Sequence, residues 1–295
     1  VISFLAQTAA PPAGSDMVDK LARTPLSQVL MVVAVCTVLR IALFPILRNT
    51  PAHKRTGLFA FARMFNEVFD AIVYAGVFVF MLIRPFGIQT FKIPSGSMLD
   101  TLQLQDYIVA NKAVYRYSDP KVGDIVVFRP PDYALYDYQK GLEIDFIKRC
   151  VGVEGDLVEI RDDVLYRNGQ RVDEPYVSYL NADGSPQTES EQSFRIKRNF
   201  KLVERNGEFW PVVYFGDVAN AHGMVAERYQ ATTPEMATEL LESPAAKIPR
   251  GHLLFMGDNR DYSSDGRVWG LAKRENVIGR SEFIWFPVNR WRSTD

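Results

Sequence analysis

The sequence predicts a mainly β domain anchored by two N-terminal transmembrane helices. Three observations carry that expectation: long apolar runs early in the chain, short strand-length apolar runs separated by turn residues after them, and a serine-rich turn, Ile93-Pro94-Ser95-Gly96-Ser97-Met98, at the junction. With 295 residues the chain is long enough for one substantial domain beside its membrane segments. Its hydrophobic share of 47% against 23% charged residues excludes a disordered protein.

Residues 1–25 read as an N-terminal tail on the outer side of the membrane, because the stretch Val1 to Ala10 lacks a charged start and is too short for a cleavable signal. Leu26 to Leu47 is a mostly apolar run interrupted by Arg40 and matches the roughly 20 residues that cross a bilayer core. Residues 48–64 form a basic cytoplasmic loop, and the second span lies in 65–88, its apolar run reaching from Phe65 to Ile83; a buried core helix is the alternative for this second run. Arg48, Lys54, Arg55 and Arg63 stand between the runs without an acid among them, whereas Asp16, Asp19, Lys20 and Arg23 balance one another in the tail. Positive loops stay in the cytoplasm, so a multi-pass protein of the cytoplasmic membrane is expected, with the region after Ile88 on the outer face and lipid as a partner. At a helix centre Arg40 would cost about 2.5–3.5 kcal/mol. Here it lies toward the cytoplasmic end, where its stem can snorkel or its charge can face Glu67 or Asp70.

The outer domain is expected over 89–173 and 248–295. Tyr107–Asn111, Asp124–Phe128, Asp145–Val151, Leu157–Ile160 and Val164–Tyr166 read as strands, with Asp162-Asp163 and Asn168-Gly169 as hairpin turns. His252–Met256 and Asn276–Phe286 supply two more. Between the two parts, 174–247 breaks the rhythm with a polar loop, a strand over Phe209–Phe215 and a helix over Pro234–Leu241, and reads as an inserted subdomain without chemistry of its own.

A net charge of -1 lacks the basic excess that nucleic acid demands, so no nucleic-acid partner is expected. No zinc-type cluster occurs, and no metal or cofactor is expected. The two cysteines, Cys36 in the first apolar run and Cys150 next to Arg149, are not expected to pair and do not reveal a redox compartment.

Chemistry concentrates at the serine turn. A serine hydroxyl needs a base, and none of the three histidines, His53, His222 and His252, has an acid-and-serine context. Lys148, in the apolar run Ile144 to Val151, can serve if burial strips its ammonium of water and lowers its pKa; the plain alternative is a strand lysine with its charge in solvent.

Four ordered boxes resemble those of bacterial type I signal peptidases: Pro94-Ser95-Gly96-Ser97-Met98; Gly123 to Phe128; Lys148-Arg149 with Gly152 and Gly155-Asp156; and Gly257-Asp258-Asn259-Arg260-Asp261 through Trp269-Gly270. The resemblance spans residues 65 to 286, with departures at Glu154, Tyr262 and Gly266 that bear on loop shape. It implies a signal-peptidase-like β fold and a membrane-bound serine endopeptidase that removes signal peptides from exported preproteins. Ser97 would be its nucleophile, Lys148 its general base, the Ser95 hydroxyl with the Ser97 N–H its oxyanion donors, and Ser263 the serine that orients the lysine. Without the resemblance, Ser95 is equally a turn serine and Ser263 a loop serine. The alternating charges Asp258, Arg260, Asp265 and Arg267 read as a pairing network that holds Ser263. Phe91, Ile93, Leu102, Phe146 and Ile147 flank the pair and would leave shallow pockets for Ala-x-Ala-like cleavage sites, core packing being the alternative for each. Two other readings compete: a self-cleaving Ser/Lys protease of the SOS-repressor type, disfavoured by the membrane runs and the lack of a DNA-binding domain, and a catalytically inactive membrane-anchored β scaffold. The oligomeric state is not legible.

Overall fold

The computed structural model describes residues 26–49, 51, 57–78, 87–136, 139–194, 197–216, 222–225 and 233–294. The expected outer tail, Lys54 and Arg55 of the basic loop, and the 79–86 end of the second apolar run lie outside these residues. The chain divides into two compact units at Thr90/Phe91.

The N-terminal unit is a helix pair, α1 (Leu26–Asn49) and α2 (Gly57–Gly76). On α1 the side chains of Met31, Val35, Val38, Ile41 and Phe44 are exposed, so its apolar residues do not form a single buried face. Among the described residues, α1 is the one helix long and apolar enough to cross a membrane, so one of the two expected spans is supported. Helix α2 starts at Gly57 and not at Phe65: Leu58, Phe59, Phe61 and Met64 carry its apolar pattern back without a breaker, and Arg63 belongs to the helix rather than to the loop. There it pairs with Glu67 one turn on, at 3.0 Å. That leaves Asp70 to meet Arg40 of α1, with Nη1 to Oδ1 at 2.5 Å. The helices touch closely at Gly76, where a β-carbon would lie 2.6 Å from Val33 Cγ2.

The second unit is built on antiparallel sheets. Its strands are β1 (Ile88–Lys92), β2 (Tyr107–Asn111), β3 (Ile125–Phe128), β4 (Phe146–Gly152), β5 (Val158–Arg161), β6 (Val164–Arg167), β7 (Gln170–Arg171), β8 (Asn199–Arg205), β9 (Glu208–Phe215), β10 (His222–Val225), β11 (His252–Met256), β12 (Ala272–Lys273), β13 (Val277–Phe286) and β14 (Arg292–Ser293). One sheet runs β1-β2-β13-β3-β4-β11-β12, with β14 beside β13, and the other β10-β9-β8-β5-β6-β7. In the first, Val126 of β3 faces Lys148 of β4 and Ile125 faces Arg149, and β4 lies inside the sheet between β3 and β11. The hairpin turns fall where the sequence puts them: Asp162 and Asp163 join β5 to β6, and Asn168 and Gly169 join β6 to β7, all four with positive φ as tight hairpins demand.

The 174–247 segment is not a body apart. Its β8 pairs with β5, Phe200 opposite Ile160, so it completes the second sheet. Helix α3 (Pro234–Glu242) is capped by Thr233, which accepts the Met236 N–H, and it buries Leu240 against Val203 and Val212. Between the sheets, Val151, Leu254 and Met256 pack with Val158, Leu165, Phe200 and Leu202. A second cluster under the serine turn holds Ile93, Met98, Leu102, Ile108 and Ile284. Each such side chain contributes about 1.5–3 kcal/mol by leaving water, which fixes the loops that carry the polar site.

Candidate active site

Ser97 lies in a short 3₁₀ turn, Gly96–Met98, between β1 and β2. Met98, fully buried in the cluster below, pins the turn, and Ser97 itself retains only 6% exposure. Lys148 reaches the same point from β4, 5% exposed, with Nζ 2.6 Å from Ser97 Oγ and 3.0 Å from the Ile147 carbonyl oxygen to which it donates. Burial pushes the Lys148 ammonium down to about 8, against the opposing pull of the Asp265 and Asp258 carboxylates. The Phe146 ring lies 5.6 Å from Nζ. No histidine contacts Ser97 among the described residues; His252 Nδ1 meets the Arg250 carbonyl.

Ser95 precedes the turn, exposed, with Oγ 3.3 Å from Ser97 Oγ and no capping bond to the backbone. Ser263 sits against Gly257, and its buried Oγ has no hydrogen-bond partner; against its burial Asp265 is kept charged chiefly by Arg267, with the Gly257 N–H next and the nearby Ser263 hydroxyl a lesser contributor. Lys148 makes no hydrogen bond to Ser263 in this structure; the contacts of its Nζ are Ser97 Oγ and the Ile147 carbonyl. Gly257 has no space for a β-carbon, which would meet Ser263 Oγ and the Ser97 carbonyl oxygen.

The charged residues around this pair are tied off individually. Arg149 binds Asp258 through two bonds, Nε to Oδ1 at 2.8 Å and Nη2 to Oδ2 at 2.7 Å, and Thr101 adds a third at 2.6 Å. Arg267 grips Asp265 twice at 2.8 Å, and the Gly257 N–H donates to the same carboxylate at 2.9 Å. Both carboxylates are completely buried. Arg260 takes its partner from the supposed insertion, Glu174, at 2.6 Å. The pairing expected within the charge run therefore holds for Asp265 with Arg267, while Asp258 and Arg260 find partners elsewhere in the chain. Arg149, Thr101, Glu174 and Asn259, none of them singled out from the sequence as site residues, complete the frame; Arg149 was visible only as the neighbour of Lys148.

Of the five apolar candidates, Phe91, Ile93, Leu102 and Ile147 share the cluster beneath the serine turn, with Ile93 and Leu102 almost wholly buried. Phe146 belongs to another cluster, edge-on to Phe128 at 6.3 Å, since neighbouring strand residues point to opposite faces.

Residues 65–286 match the family model described as signal peptidase, peptidase S26. The chain is 30% identical over 241 residues to the signal peptidase I of Rickettsia typhi, covering 73% of this chain and 78% of that one. It is 32% identical over 251 residues to that of Rickettsia massiliae, covering 75% and 82%, and 29% identical over 212 residues to the probable signal peptidase I-1 of a Synechocystis strain, covering 72% and 78%. A crystal structure of a signal peptidase I from Enterococcus faecalis aligns with 55% of this chain and 97% of its own at 23% identity, with a TM-score of 0.29. The matched family model and these relatives make the chain a member of the bacterial type I signal peptidases.

Proposed function

We propose that this protein is a membrane-bound serine endopeptidase that removes signal peptides from exported preproteins, with Ser97 as nucleophile and Lys148 as general base. The observation that carries the reading is the 2.6 Å contact between Ser97 Oγ and a Lys148 Nζ that burial holds near a pKa of about 8. A lysine that titrates there is a base over the range in which proton transfer from serine is useful.

In the neutral state the Ser97 hydroxyl donates to the Nζ lone pair. As Oγ bonds to the scissile carbonyl carbon, its proton passes to Nζ and the carbonyl oxygen becomes an alkoxide. The Ser97 N–H, at the start of its turn where no intrahelical acceptor exists, and the Ser95 hydroxyl are the donors for that charge. The ammonium on Lys148 then gives its proton to the departing amine, leaving an ester on Ser97. A water then gives a proton to the same Nζ as its oxygen bonds to the ester carbonyl carbon. The bond from that carbon to Ser97 Oγ breaks, the ammonium returns its proton to Oγ, and the signal peptide leaves with a new carboxyl terminus. The ammonium carries one more N–H than the amine, and the Ser263 hydroxyl, buried without a hydrogen-bond partner of its own, would receive it.

Phe91 and Ile147 would wall the pocket over a floor of Ile93 and Leu102, a shallow apolar space that takes small residues before the cut, as in Ala-x-Ala-like sites. In the proposed topology both predicted spans cross the cytoplasmic membrane and the basic loop faces the cytoplasm, so the site meets preproteins on the outer face. The test is incubation of the full chain, in detergent, with a secretory precursor, followed by mapping of the cut. Cleavage after a small residue at the end of the signal, lost in Ser97→Ala and in Lys148→Ala, is expected. Unimpaired cleavage by either variant would refute the assignment.

A further inference from the structure

Asn259 is fully buried beside the serine turn, and every polar atom of its side chain is engaged. Its Nδ2 donates to the Gly96 carbonyl at 3.2 Å and to the Leu180 carbonyl at 3.1 Å, while Oδ1 accepts the Leu180 N–H at 3.1 Å. Its backbone N–H donates to the Ser97 carbonyl at 3.2 Å. The carboxamide is thus locked in one orientation by the Leu180 peptide, with one N–H left to aim at Gly96.

The Gly96 carbonyl and the Ser97 N–H belong to one planar peptide unit and point in opposite directions. Whatever fixes the carbonyl also fixes the N–H. Gly96 O accepts a second bond, from the Leu99 N–H at 3.3 Å, and a hydrogen bond at a carbonyl polarises the N–H across the same peptide. The far side is closed as well: a β-carbon on Gly96 would lie 2.7 Å from the Ala182 carbonyl oxygen and 2.8 Å from Leu99 Cδ1. Ser178, Leu180 and Ala182 come from the 174–247 segment, and Ser178 binds the same loop through its N–H to Asp258 O at 2.9 Å and its carbonyl to Arg260 N at 3.0 Å. That segment therefore supports the chemistry from behind.

We infer that Asn259 is the positioning residue of the oxyanion hole: its carboxamide, held by Leu180, sets the Gly96–Ser97 peptide so that the Ser97 N–H faces the developing alkoxide. The inference rests on the proposed role of Ser97. It makes Asn259 important to the transition state and indifferent to the bound substrate.

The experiment uses the full chain in detergent and three peptides of one Ala-x-Ala sequence: a cleavable substrate, an aldehyde and a primary alcohol. With the aldehyde, Ser97 Oγ bonds to the carbonyl carbon, the C=O double bond opens to an alkoxide, and the serine proton moves to Lys148. The alcohol binds without such a step. Asn259→Ala should lower kcat about 10- to 100-fold, less than the 10²–10³ for outright loss of a donor. Aldehyde affinity should fall by the same factor, with KM, alcohol affinity and the midpoint of the pH profile unchanged. Wild-type kcat in the variant, or a parallel weakening of alcohol and aldehyde, overturns the inference. If Asn259→Ala does not fold, the isosteric Asn259→Asp carries the same comparison, and failure of both to fold makes Asn259 a staple of the fold and refutes the role. Ser97→Ala separates the two readings: if it still cleaves, the proposed nucleophile is wrong, whereas an inactive Ser97→Ala beside fully active Asn259 variants sinks only the positioning role.

Discussion

Replacing Lys148 by methionine should abolish proteolysis and at the same time remove a pH-dependent destabilisation of the fold. The ammonium falls from an ordinary value of 10.5 to about 8 because it is out of water. At about 1.36 kcal/mol for each unit, holding it protonated inside costs on the order of 3 kcal/mol. The sign follows from proton counting: between the folded and unfolded values the unfolded chain binds the proton and the folded chain does not, so stability rises with pH through that window. Below about 8 both states carry the proton and the full cost is present. The variant lacks the group, and the other titrating groups cancel in the comparison. The difference in unfolding free energy between wild type and Lys148→Met should therefore change by about 2.5 kcal/mol from pH 6 to pH 10, in favour of the wild type. Urea unfolding of the full chain in detergent, followed by tryptophan fluorescence at several pH values, measures it. A difference independent of pH would mean that Lys148 is not the dry base the reasoning requires. Wild-type kcat/KM should, for the same reason, climb about tenfold per pH unit below 8 and level above it.

Ser97→Ala should eliminate cleavage, whereas Ser95→Ala should fold and retain a rate lower by about 10²–10³, the loss of one oxyanion donor; equal inactivation of both folded variants would contradict their separate roles. Gly257→Ala forces a β-carbon into Ser263 Oγ and the Ser97 carbonyl, so it should destabilise by at least about 1–3 kcal/mol and lose activity beyond what folding explains, as a thermal melt and a peptide assay will show. Arg149→Met strands the buried Asp258 carboxylate and should cost about 3–5 kcal/mol by urea unfolding, and Arg149→Met with Asp258→Leu should recover most of it. Phenylalanine in place of alanine one or three residues before the cut should slow cleavage roughly 5- to 150-fold, from overpacking of about 1–3 kcal/mol; a series of precursors cleaved at equal rates would rule out a shallow pocket.

Much of this was legible because it is local. Alternating apolar runs and the pairs Asp162-Asp163 and Asn168-Gly169 announce hairpins through the backbone angles those residues tolerate. Ser97 and Lys148 stand out because a serine between turn formers and a lysine in an apolar strand are each chemically odd. What stayed hidden is what distance in sequence conceals. Arg149 and Asp258 are 109 positions apart, and nothing near either names the other. Asn259 acts on backbone carbonyls, which every residue supplies, so no sequence pattern marks its partners. Segment 174–247 looks like an insertion because its composition breaks the rhythm, yet β8 joins β5 through main-chain bonds that composition does not encode. Arg63 read as a loop charge because charges and helix ends share the same residues, whereas the helix runs back to Gly57 and carries Arg63 within it, paired with Glu67.

The charged frame around Ser97 and Lys148 resolves a conflict that the proposed mechanism sets up. Lys148 must be dry to lose its proton, but the loop that backs it carries two completely buried carboxylates, Asp258 and Asp265, whose fields draw a proton onto it. Unpaired, they would hold the ammonium and silence the base. Each is instead bound twice by a guanidinium that cannot itself deprotonate, Asp258 by Arg149 and Asp265 by Arg267, so neither faces Nζ as an unpaired charge. Under the proposed mechanism the residual field is useful in the next instant, because the lysine would become positive as Ser97 attacks, and a preorganised negative frame would stabilise that charge without moving. A value of about 8 is thus a balance between burial, which frees the base, and the carboxylates, which stabilise its conjugate acid. Full removal of either would spoil one half of the reaction: water around Nζ would return the lysine to its ordinary basicity and leave it protonated at rest. A frame without acids would make the ammonium too costly to form when the serine gives up its proton.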